Sequence, residues 1–139
     1  MTEIDHIITL IRAFKGFRGE ITAESTLVQD LDIWGDDLIE FFEAYLIEFN
    51  VDMSSYRWYF HTREEVSPHL GSIFFKPPNK RVPQIPITVS MLKDFADSGK
   101  WSVQYPEHTL PKYRIDIILD WIILVALFIG CLAWVMSNR

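Results

Sequence analysis

Apolar positions recur at helical spacing in three stretches of the first hundred residues. Ile4, Ile7, Ile8, Ile11 and Phe14 place one apolar face on a helix over residues 3–15, and Gly16 and Gly19 end it. Leu38, Phe41, Phe42, Tyr45, Leu46 and Phe49 form the stripe of a second helix from about Gly35 to Phe49, whose positive N-terminal end suits Asp36 and Asp37. Thr88 to Gly99 reads as a third helix: Thr88 or Ser90 caps it, Met91, Leu92, Phe95 and Ala96 face inward, and Gly99 stops it. Between the first two, Phe17 to Ile33 is a connecting loop with Leu27, Val28 and Leu31 available to plug a core. Residues 55–63 (SYRWYFHTR) are aromatic and predict a further short helix or an extended plug. Lys76 to Pro86 holds four of the seven prolines and predicts an extended loop, because proline cannot donate to a sheet or a helix ladder.

The pattern changes at Ile115, where IDIILDWIILVALFIGCLAWVM begins. As a helix, residues 115–136 extend about 33 Å, enough for the roughly 30 Å hydrocarbon core of a bilayer. A buried helix of a soluble protein carries a polar stripe; after Asp120 this segment has none, and the preceding domain is too short to enclose it. A membrane span is therefore expected. Asp116 and Asp120 share a face near its start, where a carboxylate costs far less than the roughly 2.5–3.5 kcal/mol of mid-membrane. Both are expected in the headgroup zone beside Tyr113 and Trp121, with Trp134 at the far edge; in the alternative, Asp120 meets a polar group of a partner helix. Ala126 and Gly130 form a small-xxx-small pair, a route to a homodimer. Lys112 and Arg114 precede the span, Arg139 alone follows it, and the N-terminus lacks the basic start of a signal peptide. A tail-anchored topology follows, with the domain in the cytoplasm.

Composition narrows the function classes. The 139 residues (16.3 kDa) suffice for one small domain and an added element, and a single cysteine excludes an internal disulfide framework or a Cys-cluster metal site. A net charge of −6 argues against nucleic-acid binding, which needs a basic surface. Residues 1–60 hold 12 acidic and 4 basic residues, residues 61–114 hold 5 and 8, so the chain is dipolar.

Candidate chemistry is sparse. Asp30, Asp32 and Gly35 fit a calcium loop, but Trp34 takes a ligand position and Phe41 replaces the closing Glu, so calcium would bind weakly at best. His6, His61, His69 and His108 show no metal-ligand spacing, and Cys131 lies inside the span. No phosphate loop, nucleophile elbow or paired carboxylates with an evident pocket stand out, so neither an enzyme nor a bound metal or cofactor is expected. The one hint of a binding surface is the second helix. With its apolar stripe inward, Asp36, Glu40 and Glu43 crowd the opposite face with Ile47, and Asp37 adjoins them. Such a face suits fast, salt-sensitive docking onto a protein partner with a basic patch.

LVQDLDIWGDDLIEFFEAYLIEF, residues 27–49, resembles the central segment of acyl carrier proteins, with Leu31, Glu40, Ala44, Glu48 and Phe49 in matching places. The serine that bears the prosthetic arm in those proteins falls on Gly35, which has no hydroxyl. A closer similarity, carried by Gly35-Asp36-Asp37, the Tyr59-Phe60 pair and ITVSMLKDFADSGKW at residues 87–101, is to the domain-of-unknown-function family 1493, small bacterial proteins. That resemblance covers roughly residues 3–105 and implies an acyl-carrier-like fold with no established activity.

The expected architecture is mainly α: a small acyl-carrier-like helical bundle with a Pro-rich loop over residues 1–105, a tether over 106–114, a transmembrane helix over 115–136 and a three-residue tail. The expected function is a non-catalytic protein-interaction module tethered to the inner membrane, acting through Asp36, Asp37, Glu40, Glu43 and Ile47. Two alternatives stand beside it: a membrane regulator or immunity-type inhibitor acting through Asp120, Ala126 and Gly130, and a carrier that holds an acyl chain or lipid without a covalent arm.

Overall fold

A computed structural model describes residues 4–65 and 69–138. It contains five α-helices: α1 (Ile4–Lys15), α2 (Asp36–Phe49), α3 (Leu70–Phe74), α4 (Val89–Ser98) and α5 (Ile115–Ser137). Single 3-10 turns lie at Trp58–Phe60 and Pro78–Lys80. Among the described residues there is no strand; two isolated bridges, Thr26 with Thr88 and Asp52 with Lys100, tie loops together. The first residue of the expected helix over 3–15 lies outside the described residues.

The core forms where α1, α2 and α4 pack. Ile7 and Ile11 from α1, Leu38, Phe41, Phe42 and Tyr45 from α2, and Val89, Leu92 and Phe95 from α4 are buried together. The three faces are apolar at 3.6-residue spacing, so each helix can bury one side only by meeting the others. Tyr45 is wholly buried, and its hydroxyl donates to the Leu92 carbonyl at 2.5 Å, which satisfies the one polar atom of a large core ring. Met91 and Ala96 pack against this cluster half-buried. Leu46, expected inward, faces solvent, because its place on α2 falls at the edge of the stripe.

The segment between α1 and α2 has no helix of its own, yet Ile21, Leu27, Leu31 and Ile33 are buried in the core. It is laced to the residues before α4: Leu27 N–H donates to the Ile87 carbonyl (2.9 Å), Val89 N–H to Ser25 (3.0 Å) and Ser90 N–H to Ala23 (2.8 Å). Thr88 then caps α4, its hydroxyl accepting from Met91 N–H at 3.2 Å, and Gly99 ends the helix at φ +69°. Of the two candidate caps, Thr88 serves.

The aromatic stretch becomes a 3-10 turn that plugs the bundle's end with Phe60 and His61. His61 Nδ1 lies 2.8 Å from the Ile85 carbonyl, an obligate acceptor, so Nδ1 carries the proton and Nε2 accepts from the Tyr105 hydroxyl at 2.9 Å. The Tyr105 oxygen in turn accepts from Trp101 Nε1–H (2.8 Å) and Arg57 N–H (3.2 Å), so every member of the network is satisfied. The Pro-rich loop is extended except for its one 3-10 turn, where Pro77 and Asn79 are buried.

After Trp101 the chain runs back along this end. His108 stacks near Tyr59 and Phe60, and its Nε2 lies 2.9 Å from the Tyr59 hydroxyl. It then enters α5, a helix long and apolar enough to cross a membrane, with only 6% of its most apolar stretch buried. The structure thus has the mainly helical build expected, closed by one long exposed apolar helix.

Candidate functional site

The N-terminus of α2 is where the chain does something unusual. Gly35 has φ +60° and ψ −131°, a backbone region that side chains rarely adopt. Its N–H donates to Thr62 Oγ1 at 2.9 Å, and the next N–H, of Asp36, donates to Glu65 Oε1 at 2.9 Å. Glu65 therefore caps α2 from a distant loop, and its negative charge sits at the positive end of the helix. A Cβ at position 35 would fall 2.3 Å from Glu65 Oε1. A side chain at position 35 would thus need both a strained backbone and displacement of the Glu65 carboxylate.

Beside this cap opens a cleft of about 380 Å³, lined by Gly35, Ile39, Trp58, Thr62, Arg63 and Ile117 among others. Arg63 lies over the Trp34 ring, 4.3 Å from its centroid, and Trp34 Nε1–H donates to Asp32 Oδ1 at 3.0 Å. Asp32 is thereby engaged in its own loop.

From the edge of the cleft, which Asp36 helps to line, Asp36, Glu40, Glu43 and Ile47 fall within one narrow stripe of α2, and all four are exposed. Ile47 is 78% exposed and Ile39, adjoining the stripe on the cleft side, 50%. Glu40 and Glu43 have no ion-pair partner among the described residues. Asp37 differs: it points toward α1, where Lys15 binds its carboxylate, and that contact raises the Lys15 pKa above its usual value. Four of the five residues expected on this surface therefore share it, and Asp37 serves to join two helices. Ile39 and Glu65 belong to the site and went unforeseen. Ile39 was hidden by the apolar pattern, which makes no distinction between an inward and a flanking isoleucine. Glu65 acts across a separation of 29 residues, and no local pattern reveals that.

A second cluster gathers at the first turns of α5. Arg114 makes two hydrogen bonds to Glu64 (2.6 and 3.0 Å) and three to Asp116 (2.6, 3.0 and 3.2 Å), which hold its pKa above the ordinary arginine value, Asp116 foremost. Asp116 is buried. His69 faces both aspartates, Nε2 at 3.7 Å from Asp116 and Nδ1 against the Asp120 carboxylate. Asp120 also accepts from Gly71 N–H at 2.7 Å. Ligand atoms of Glu64, His69 and Asp116 lie within 4.8 Å of one another, but both carboxylates are already engaged by the Arg114 guanidinium, so the cluster is an ion-pair network. Asp120 meets its polar partners within its own chain. Ala126 and Gly130 lie on exposed stretches of α5, and a Cβ at Gly130 would meet nothing within 4 Å.

No curated protein and no solved structure matches the chain. Residues 4–104 match a family, and the match takes in α1 to α4 and stops short of α5. By that match the chain belongs to the family described as protein of unknown function, DUF1493.

Proposed function

We propose that this protein is a non-catalytic interaction module held at a membrane by α5, and that it recruits a protein with a basic patch through the exposed face of α2. The observation that carries the reading is the stripe Asp36, Glu40, Glu43 and Ile47: a row of three exposed carboxylates that ends in an isoleucine 78% exposed. Like charges three and four residues apart oppose the helix by a few tenths of a kcal/mol; Asp36 is offset by the positive helix end, whereas Glu40 and Glu43 lie beyond the first turn. An exposed apolar side chain at the end of a row of carboxylates offers a partner both a hydrophobic contact and a charge to pair with, and the charge favours a fast, salt-sensitive encounter. Covalent acyl carriage finds no support at Gly35. Lys112 and Arg114 before α5 favour a cytoplasmic domain, on the inner membrane of a bacterium.

Affinity capture with the detergent-solubilised full chain tests this. Glu40→Lys combined with Glu43→Lys abolishes recovery of the partner while the thermal unfolding midpoint stays within a few degrees. Recovery equal to that of the unaltered chain removes this face from the function.

A second reading, action through α5 on another membrane helix or a second copy, is favoured by one feature. Ile118, Trp121, Ile122, Val125, Ala126 and Ile129 form a shallow, wholly apolar concavity on α5, and Gly130 lies open one turn beyond Ala126.

A further inference from the structure

We infer that α3 and the basic loop after it form a second membrane contact, an interfacial wedge that seats in the headgroup region of an anionic bilayer beside α5. The inference rests on reading α5 as a span. Helix α3 has five residues, and its outward side chains are nearly all large and apolar: Leu70, Ile73 and Phe74 are 54%, 69% and 71% exposed, with Phe75 following at 39%. A domain with a well-filled core leaves such a cluster uncovered only where something else covers it.

Position identifies the cover. Gly71 is pressed onto α5 so closely that a Cβ would lie 1.8 Å from the Asp116 carbonyl oxygen, and its N–H donates to Asp120 at 2.7 Å. The short helix is therefore fixed level with Asp116 to Asp120. That is the boundary of the apolar stretch, for no charge follows between Trp121 and Met136. If α5 crosses a bilayer, Leu70, Ile73 and Phe74 stand at the depth where headgroups give way to acyl chains.

Charge identifies the surface as anionic. From Leu70 to Leu92 there is no acidic residue, whereas Lys76, Lys80 and Arg81 are all present and exposed. Arg81 Nε–H donates to the Lys76 carbonyl at 2.6 Å, which folds the loop back on itself. Phe75, Lys76 and Arg81 share one small concavity with Tyr113 and Ile115 at the start of α5. An apolar face flanked by lysine, arginine and tyrosine, joined to a spanning helix, is the chemistry of an interfacial anchor: side chains enter the acyl boundary and cations meet lipid phosphates. The domain would then be held in one pose on the membrane.

The test places a fluorescent label at single cysteines of the full chain in vesicles of phosphatidylcholine with one-quarter phosphatidylglycerol, some lipids carrying a nitroxide. Native Cys131 reports the span. Ile73→Cys and Ile47→Cys, each with Cys131→Ser, report the wedge and the far face of the domain. The expected result is nitroxide quenching at positions 131 and 73 and none at 47. Replacing Lys76, Lys80 and Arg81 together by Gln should lower quenching at position 73 to the level found in pure phosphatidylcholine. Quenching at 131 without quenching at 73 overturns the wedge and leaves the span intact; no quenching at 131 overturns the span and the wedge with it. Quenching between labels at position 73 that rises with protein density, without lipid quenching, assigns the face to a second copy and overturns the inference.

Discussion

His61 shows how one buried polar residue ties a loop fold together and makes it sensitive to acid. Burial pushes its pKa down to about 4 from an ordinary 6.5, with the Ile85 carbonyl opposing the shift. The unfolded chain takes up a proton near pH 6.5 that the folded chain refuses until about pH 4. Stability is therefore full above the higher value and falls as pH drops through that window, by roughly 3 kcal/mol at most. Urea unfolding of the unaltered chain and of His61→Gln, followed from pH 7 to 4, should show a steeper acid loss in the former; parallel curves would contradict the burial of a neutral imidazole. At the same scale, Gly35 was legible in sequence as a missing hydroxyl. Its cause, a left-handed backbone under Glu65, was not, because φ and a contact 30 positions along leave no mark in a single chain.

Among the elements, the helices with strong apolar periodicity were all readable, and the ends of α4 followed from its cap and its terminal glycine. The cap of α4 makes a clean test. Thr88→Ala removes the hydroxyl that accepts from Met91 and should cost about 1 kcal/mol, whereas Thr88→Ser should restore most of it. The shift of the denaturation midpoint at constant slope measures both. What escaped sequence reading was α3. Five residues give no period to detect, and propensity cannot nucleate so short a helix. It exists because Ser72 Oγ and the His69 backbone bond each other (2.7 and 3.1 Å) and because Asp120, from another element, binds Gly71 N–H. The loop before α2 shows the converse: its leucines were readable as core plugs, while its stitching to residues 87–90 depends on pairing between distant segments.

For the whole molecule, the joint between the helical domain and α5 is the decisive contact. Arg114 holds Glu64 of the domain and buried Asp116 of α5 at once, and His69 adds a second clasp through Asp120. Arg114→Ala strands a buried carboxylate, a change that typically costs about 3–5 kcal/mol locally. It should free α3 from α5 without unfolding the bundle. Amide exchange in detergent micelles would read this as faster exchange across residues 69–75 with α1, α2 and α4 unaltered; unchanged protection at Gly71 would show that Asp120 holds the joint without Arg114. The sequence reading placed Asp116 and Asp120 near the headgroups, and it had no means of seeing that His69 and Arg114 meet them.

Ile117 forms part of the wall of the cleft beside Gly35 and also lies in the first turn of the apolar helix. The wall of that cleft is thus built by the helical domain except at Ile117, which α5 supplies. Any tilt, rotation or axial slip of the helix, whether from bilayer thickness or a neighbouring protein, must change its width. If α5 crosses a bilayer, that one shared residue ties the position of the helix to the shape of the cleft at the head of α2.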